Sequence, residues 1–280
     1  MQSRKKIKQR KTLSITQLYA SGKKLANDLS LSENPLGCSP IVAKEMNSMG
    51  IALNTYPTAN STLLRTKLAE RLKCVVNNIL VANGSEAIIF QLPKIVANCG
   101  NDRNEAIVPA LSFPLFAVSS ELAGLRVKTA AMTKELGIDL AAIQSLVTDQ
   151  TALIFLCNPN NPTGGVLSRA EIADLVARVP RDILIIIDEA NIEFGGKSVV
   201  DLALSLPNVI VLRTFSKAFG LANVRVGFAV GDADLITRLI ENVPIFPITG
   251  ISEVLCTRAL EDSDFITKTK AFIDKENNIT

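Results

Sequence analysis

Histidine is absent from all 280 residues, tryptophan is absent too, and only 5% of the chain is aromatic. Without histidine, every Ser-His and Cys-His catalytic pair is excluded. Proton transfer must then fall to lysine, carboxylates or a cofactor. The cysteines Cys38, Cys74, Cys99, Cys157 and Cys256 are odd in number and scattered, with no CxxC pair. That spacing argues against a zinc site or a disulfide framework and fits a reducing cytoplasm. No apolar run is long enough to cross a membrane, and none follows the basic N-terminus as a secretory signal requires. Net charge is scarce as well: 30 Lys and Arg face 27 Asp and Glu, leaving +3. Arg4, Lys5, Lys6, Lys8, Arg10 and Lys11 crowd one end, and the remainder is slightly acidic. A nucleic-acid-binding body is therefore not expected. Residues 1–28 read as a basic, disordered arm, either simply solvated or touching an RNA or membrane surface.

What is present is apolar and alternating. Hydrophobic residues make up 48% of the chain, enough for a large core. Strand-like runs at 79–82, 106–109, 126–132, 152–157, 183–188, 209–213 and 224–230 are separated by helical patterns or turn-rich loops. Ser61, Asp139 and Asp232 stand where helix caps belong, Ser168 with Glu171 forms a capping box, and Pro93 predicts a kink. Strands that are apolar throughout and alternate with helices predict an α/β fold. The expected form is a three-layer αβα sandwich around a mostly parallel sheet.

In such sheets ligands sit at the carboxyl ends of the strands, and the unusual residues gather there. Gly84-Ser85-Glu86 follows the first strand and opens a helix, whose free amides and positive dipole end suit a phosphate. The turn-rich loop NPNNPTG (158–164) follows 152–157. Asp188 ends the run ILIII and must find a cation or donor, because an unpaired buried carboxylate is costly. Lys217 follows the strand 209–213, between Thr214, Ser216 and Arg225. A lysine there is either an ordinary surface side chain or an amine made nucleophilic by burial beside an anion grip. The second arrangement is what pyridoxal phosphate chemistry uses. GGKS (195–198) resembles the tail of a P-loop, but its first glycine would be Asn191 and no following helix is expected.

NPNNPTG, then DEANIEF (188–194), then TFSKAFGLANVRVGF (214–228), with SENPLG (32–37) and Tyr56-Pro57 upstream, resembles the fold-type-I pyridoxal-phosphate aminotransferases, in particular those of the histidinol-phosphate type. The resemblance implies that Lys217 forms an imine with the cofactor and later moves the proton, while Asp188 pairs with the pyridine nitrogen. It implies that Asn161 donates to the ring's phenolic oxygen, that Phe113 stacks on the ring, and that Asn34 faces the substrate. Ser85, Glu86, Thr214, Ser216 and Arg225 would hold the phosphate, and Tyr56 would reach the partner subunit's phosphate in a homodimer. The family usually has a tyrosine where this chain has Asn191. Residues 29–235 would form the cofactor-binding domain, with 29–50 partly in the arm or small domain, and 236–280 the start of an incomplete small domain. No residue here matches the family's carboxylate-clamping arginine. Implied functions are transamination between glutamate and a keto acid, decarboxylation of a phosphorylated amino acid, or cofactor or partner binding without catalysis. A metal is not expected.

Overall fold

A run of aliphatic residues with no polar break needs cover on both faces, and here it has that cover. The computed structural model describes residues 31–98 and 102–277, and the basic segment 1–28 lies outside them. The strands are β1 (Ile79–Ala82), β2 (Glu105–Pro109), β3 (Arg126–Ala130), β4 (Thr151–Cys157), β5 (Leu184–Asp188), β6 (Val209–Thr214) and β7 (Gly227–Gly231). They form a 7-stranded sheet in the order β1-β7-β6-β5-β4-β2-β3 among the described residues. The strands from β3 across to β6 are parallel, and β7 runs antiparallel to both β6 and β1.

The alternation of side chains along each strand separates two apolar layers. Ile154, Leu156, Ile185, Ile187, Val209 and Val211 point into one layer. There they meet the helices α2 (Thr62–Leu72), α6 (Arg169–Arg178), α7 (Val200–Ser205) and α9 (Gly250–Ala259). On the opposite face, Phe155 of β4 stacks on Phe116 with ring centroids 4.5 Å apart. Phe116 belongs to α4 (Leu115–Leu122), which packs on α3 (Gly84–Ala97). Each fully buried aliphatic side chain contributes about 1.5–3 kcal/mol of transfer free energy, so this double burial carries the fold. From Glu33 onward the described residues form one compact unit. The remaining helices are α1 (Pro40–Ser48), α5 (Leu140–Ser145), α8 (Ala233–Ile240) and α10 (Ser263–Asn277).

The expected caps divide by local geometry. Asp139 accepts from the Ala142 amide at 2.9 Å, Asp232 caps α8, and the Ser168–Glu171 box is complete. Ser61 precedes α2 but is left-handed (φ 50°) and makes no side-chain capping bond. The helix α3 continues through Pro93. The strand expected from Val224 begins at Gly227, because Ala222–Val224 form a 3-10 turn and Arg225 is left-handed at φ 56°. No α-helix separates β6 from β7, so the chain doubles back instead of crossing over. After GGKS a short helix, α7, does follow.

Candidate active site

Strand register brings the site together. Gly227 pairs with Thr214 on one side and Ala82 on the other, so the start of β7 holds the ends of β6 and β1 side by side. The opening turn of α3 lies against that junction. A Cβ on Gly227 would come within 2.1 Å of the Ser85 amide nitrogen, so only glycine allows this approach. A Cβ on Gly84 (φ +76) would meet Arg225 Nη2 at 2.7 Å, which places the guanidinium over the helix N-terminus. Arg225 reaches there from its left-handed backbone, with Nη1 donating to the Ala222 carbonyl at 3.1 Å. Its contact with Glu86 Oε2 is 3.6 Å long, and both side chains are nearly half exposed. Thr214 Oγ1 and Ser216 Oγ lie 3.0 Å apart, and the Ser216 amide donates to Thr214 Oγ1 at 3.1 Å. Amides at a helix N-terminus, two hydroxyls and a guanidinium form an anion cradle.

Asp188 sits beside this cradle. The register sets it between Cys157 of β4 and Leu212 of β6, where it is buried. Its Oδ1 accepts from the Ala190 amide at 3.0 Å. Burial pushes its carboxyl up to about 6, with neighbouring Glu189 adding to the rise and the Ala190 amide and Lys217 opposing it. Burial likewise lowers the Lys217 ammonium from its ordinary value, against the pull of Asp188 and Glu33. Burial disfavours the charged form of both groups, so each gains from a partner of opposite charge.

The loop after β4 closes the other side. Asn158 bonds both ways with Leu167, at 2.8 and 3.1 Å. Asn160 accepts from Ser112 Oγ at 2.8 Å and donates to the Leu111 carbonyl and Thr163 Oγ1 at 2.8 Å each. These two asparagines therefore shape the loop, and both X-Pro bonds in it are cis. Asn161 is half-buried, and its amide lies against the Cys157 thiol, which burial raises far above its ordinary value. Phe113 follows β2 and meets Phe116 edge-on, with centroids 5.6 Å apart at 81°. Asn191 opens the 3-10 turn Ile192–Phe194 and accepts from the Phe194 amide at 3.0 Å.

Two further expected residues lie on the N-terminal side of the site. The Asn34 side-chain amide donates to the carbonyls of Lys217 and Ala218 and to Thr269 Oγ1. Tyr56 is 83% exposed and stacks on Phe246 at 4.8 Å. Its loop is fastened by Thr58 Oγ1 donating to Glu253 Oε2 at 2.7 Å. The sequence reading passed over Glu189, which is buried, paired with Arg213 at 2.9 Å, and accepts from Ser198 and the Val199 amide. A second carboxylate after a buried run was the available signal, since register puts Arg213 beside it. Among the described residues no cluster of His, Cys, Asp or Glu suits a metal ion, and no helix is long and apolar enough to cross a membrane.

The sequence is similar to histidinol-phosphate aminotransferase of Methanococcus maripaludis (strain C5), 35% identical over 86% of this chain and 65% of that protein. It is 34% identical to the aromatic amino acid aminotransferase of Rhodococcus jostii (strain RHA1), over 93% of this chain and 74% of that one. The fold is similar to that of the Sinorhizobium meliloti histidinol-phosphate aminotransferase in complex with pyridoxal-5'-phosphate. That likeness has a TM-score of 0.79 at 24% identity, over 87% of this chain and 66% of the other. Residues 26–278 match the family aminotransferase class I and II, and the chain belongs to it.

Proposed function

We propose that this chain binds pyridoxal 5'-phosphate through Lys217 and exchanges an amino group between an amino acid, glutamate in the first instance, and a keto acid of the histidinol-phosphate or aromatic type. The observation that carries the reading is the combination of a buried Asp188 and a half-buried Lys217, the charged forms of both disfavoured by burial, with the anion cradle at Ser85, Thr214, Ser216 and Arg225. The donor set fits the cofactor at both ends. A carboxyl raised by burial gains from a pyridinium N–H, and the cradle matches a phosphate in charge and shape.

Bound pyridoxal phosphate supplies an electron sink for the carbon next to the amino nitrogen. The chain's own residues do the rest. Asp188 holds a proton at the pyridine nitrogen. The Lys217 amine takes a proton from the substrate carbon and returns it, a role left to lysine in a chain with no histidine. Asn161 donates toward the ring oxygen, Phe113 covers the ring, and the cradle fixes orientation through the phosphate, with Glu86 steering Arg225. Asn191 stands where the family tyrosine would assist Asn161. Part of the proposal is a cytoplasmic homodimer in which Tyr56 reaches the partner's phosphate. The exposed Tyr56–Phe246 pair beside exposed Ile245 supports it.

Purified protein mixed with pyridoxal phosphate should develop an imine absorbance band, and adding glutamate should convert it to the aminated form. Lys217→Ala should show neither change. The same band in Lys217→Ala would overturn the assignment, and carbon dioxide release from a phosphorylated amino acid would replace transamination with decarboxylation.

A further inference from the structure

The Lys217 side chain is carried by a turn that lies beyond the end of β6, outside the sheet's ladder of hydrogen bonds. Within the turn the Gly220 amide donates to the Lys217 carbonyl at 2.9 Å, and contacts from outside the turn add to that hold, which matters because a flexible four-carbon stem is aimed only as well as its Cα is fixed. Asn34 Nδ2 donates to the Lys217 carbonyl at 3.3 Å, to the Ala218 carbonyl at 3.1 Å and to Thr269 Oγ1 at 3.2 Å. Its Oδ1 accepts from the Leu36 amide at 2.9 Å, which fixes which way the amide faces. Thr269 lies on α10 and is 1% exposed. The turn itself is pressed against the same segment: a Cβ on Gly220 would fall 1.8 Å from the Gly37 carbonyl oxygen. Farther along, Ser39 Oγ donates to Asp262 Oδ2 at 2.5 Å and Arg258 pairs with Glu45 at 2.9 Å. The segment around Asn34 is thus tied down along its length.

We infer that Asn34 and Thr269 are positioning residues that act through the Lys217 backbone and so set the line along which its amine meets Asp188 and the cofactor. This role differs from the substrate contact that the resemblance implies for Asn34, and it rests on Lys217 being the cofactor amine.

The test reads the pH midpoint of the absorbance change of the cofactor-loaded protein without substrate, alongside thermal stability. Asn34→Ala and Thr269→Val should each move that midpoint by about half a pH unit or more. Thr269→Ser, which keeps the hydroxyl, should restore it. Arg258→Met should lower thermal stability and leave the midpoint in place, because it loosens the tie away from Lys217. If Asn34→Ala and Thr269→Val lower stability while the midpoint stays at the wild-type value, the two residues are structural only and the inference falls. Should Asn34→Ala fail to fold, the Thr269→Val and Thr269→Ser pair decides alone. A wild-type protein that shows no band at all would remove the cofactor reading itself, a different failure from an unmoved midpoint.

Discussion

Two buried carboxylates at opposite ends of the sheet's strands, Glu105 and Asp188, have opposite fates. Glu105 begins β2 at the amino edge, 2% exposed, with Lys128 Nζ and Thr148 Oγ1 each 2.6 Å away and Arg126 in contact. Burial alone would raise its carboxyl, but Lys128, Thr148 and Arg126 hold it down at about 2. Asp188 ends β5 at the carboxyl edge, is likewise buried, and its carboxyl is pushed up to about 6. The first is saturated with cations and donors and belongs to the architecture. The second is under-compensated within the protein and is ready for a cationic ligand. Within one sheet, the degree of compensation separates a structural acid from a functional one.

The largest expected effect tests the under-compensated edge. The folded value for Asp188 lies above its ordinary 3.8, so its contribution is complete below about pH 4 and is lost as pH rises through about 6. Cofactor-free protein should therefore lose about 3 kcal/mol between those limits relative to Asp188→Asn. Urea unfolding of both proteins at several pH values measures this, and parallel pH profiles would mean that Asp188 is already paired. At the other edge, Glu105→Gln should cost about 2 kcal/mol at neutral pH by removing charged hydrogen bonds. The folded value of Glu105 lies below its ordinary 4.5, so that cost should shrink as pH falls toward 2. A neutral Glu105→Gln would erase the contrast. The smallest effect concerns Glu86, whose long, exposed contact with Arg225 should be worth under about 0.5 kcal/mol. Glu86→Ala should leave thermal unfolding almost unchanged, while cofactor titration should show a modest loss of affinity as Arg225 is no longer steered toward the cradle.

Much of this was legible in the sequence, because burial leaves a direct trace there. ILIII and VIVL are apolar throughout and became the bulk of the central strands β5 and β6, and the motif residues that end or follow them lie at the carboxyl edge. What the sequence did not display depends on register and backbone hand. Ser61 has the right side chain for a cap and the wrong φ for it. The late start of β7 follows from a left-handed Arg225, a conformation no side-chain pattern announces. Glu105 finds Lys128 only because β2 and β3 pair in parallel, and Asn34 finds Thr269 across nearly the whole chain. Periodicity reports which face a residue is on. It says little about which distant residue stands opposite.

Gly227 has one more consequence, and it concerns time. The strand β1 stands at an edge of the sheet and pairs with β7, so the first strand made waits for the last. Until Gly227 slides in beside Ser85, the cradle has neither its floor nor its arginine. Such long-range closure is slow compared with local helix formation. We expect cofactor capture to lag behind the appearance of helical signal during refolding, with the gain in absorbance tracking insertion of β7. Simultaneous onset of the two signals would show that the cradle assembles before the sheet is complete.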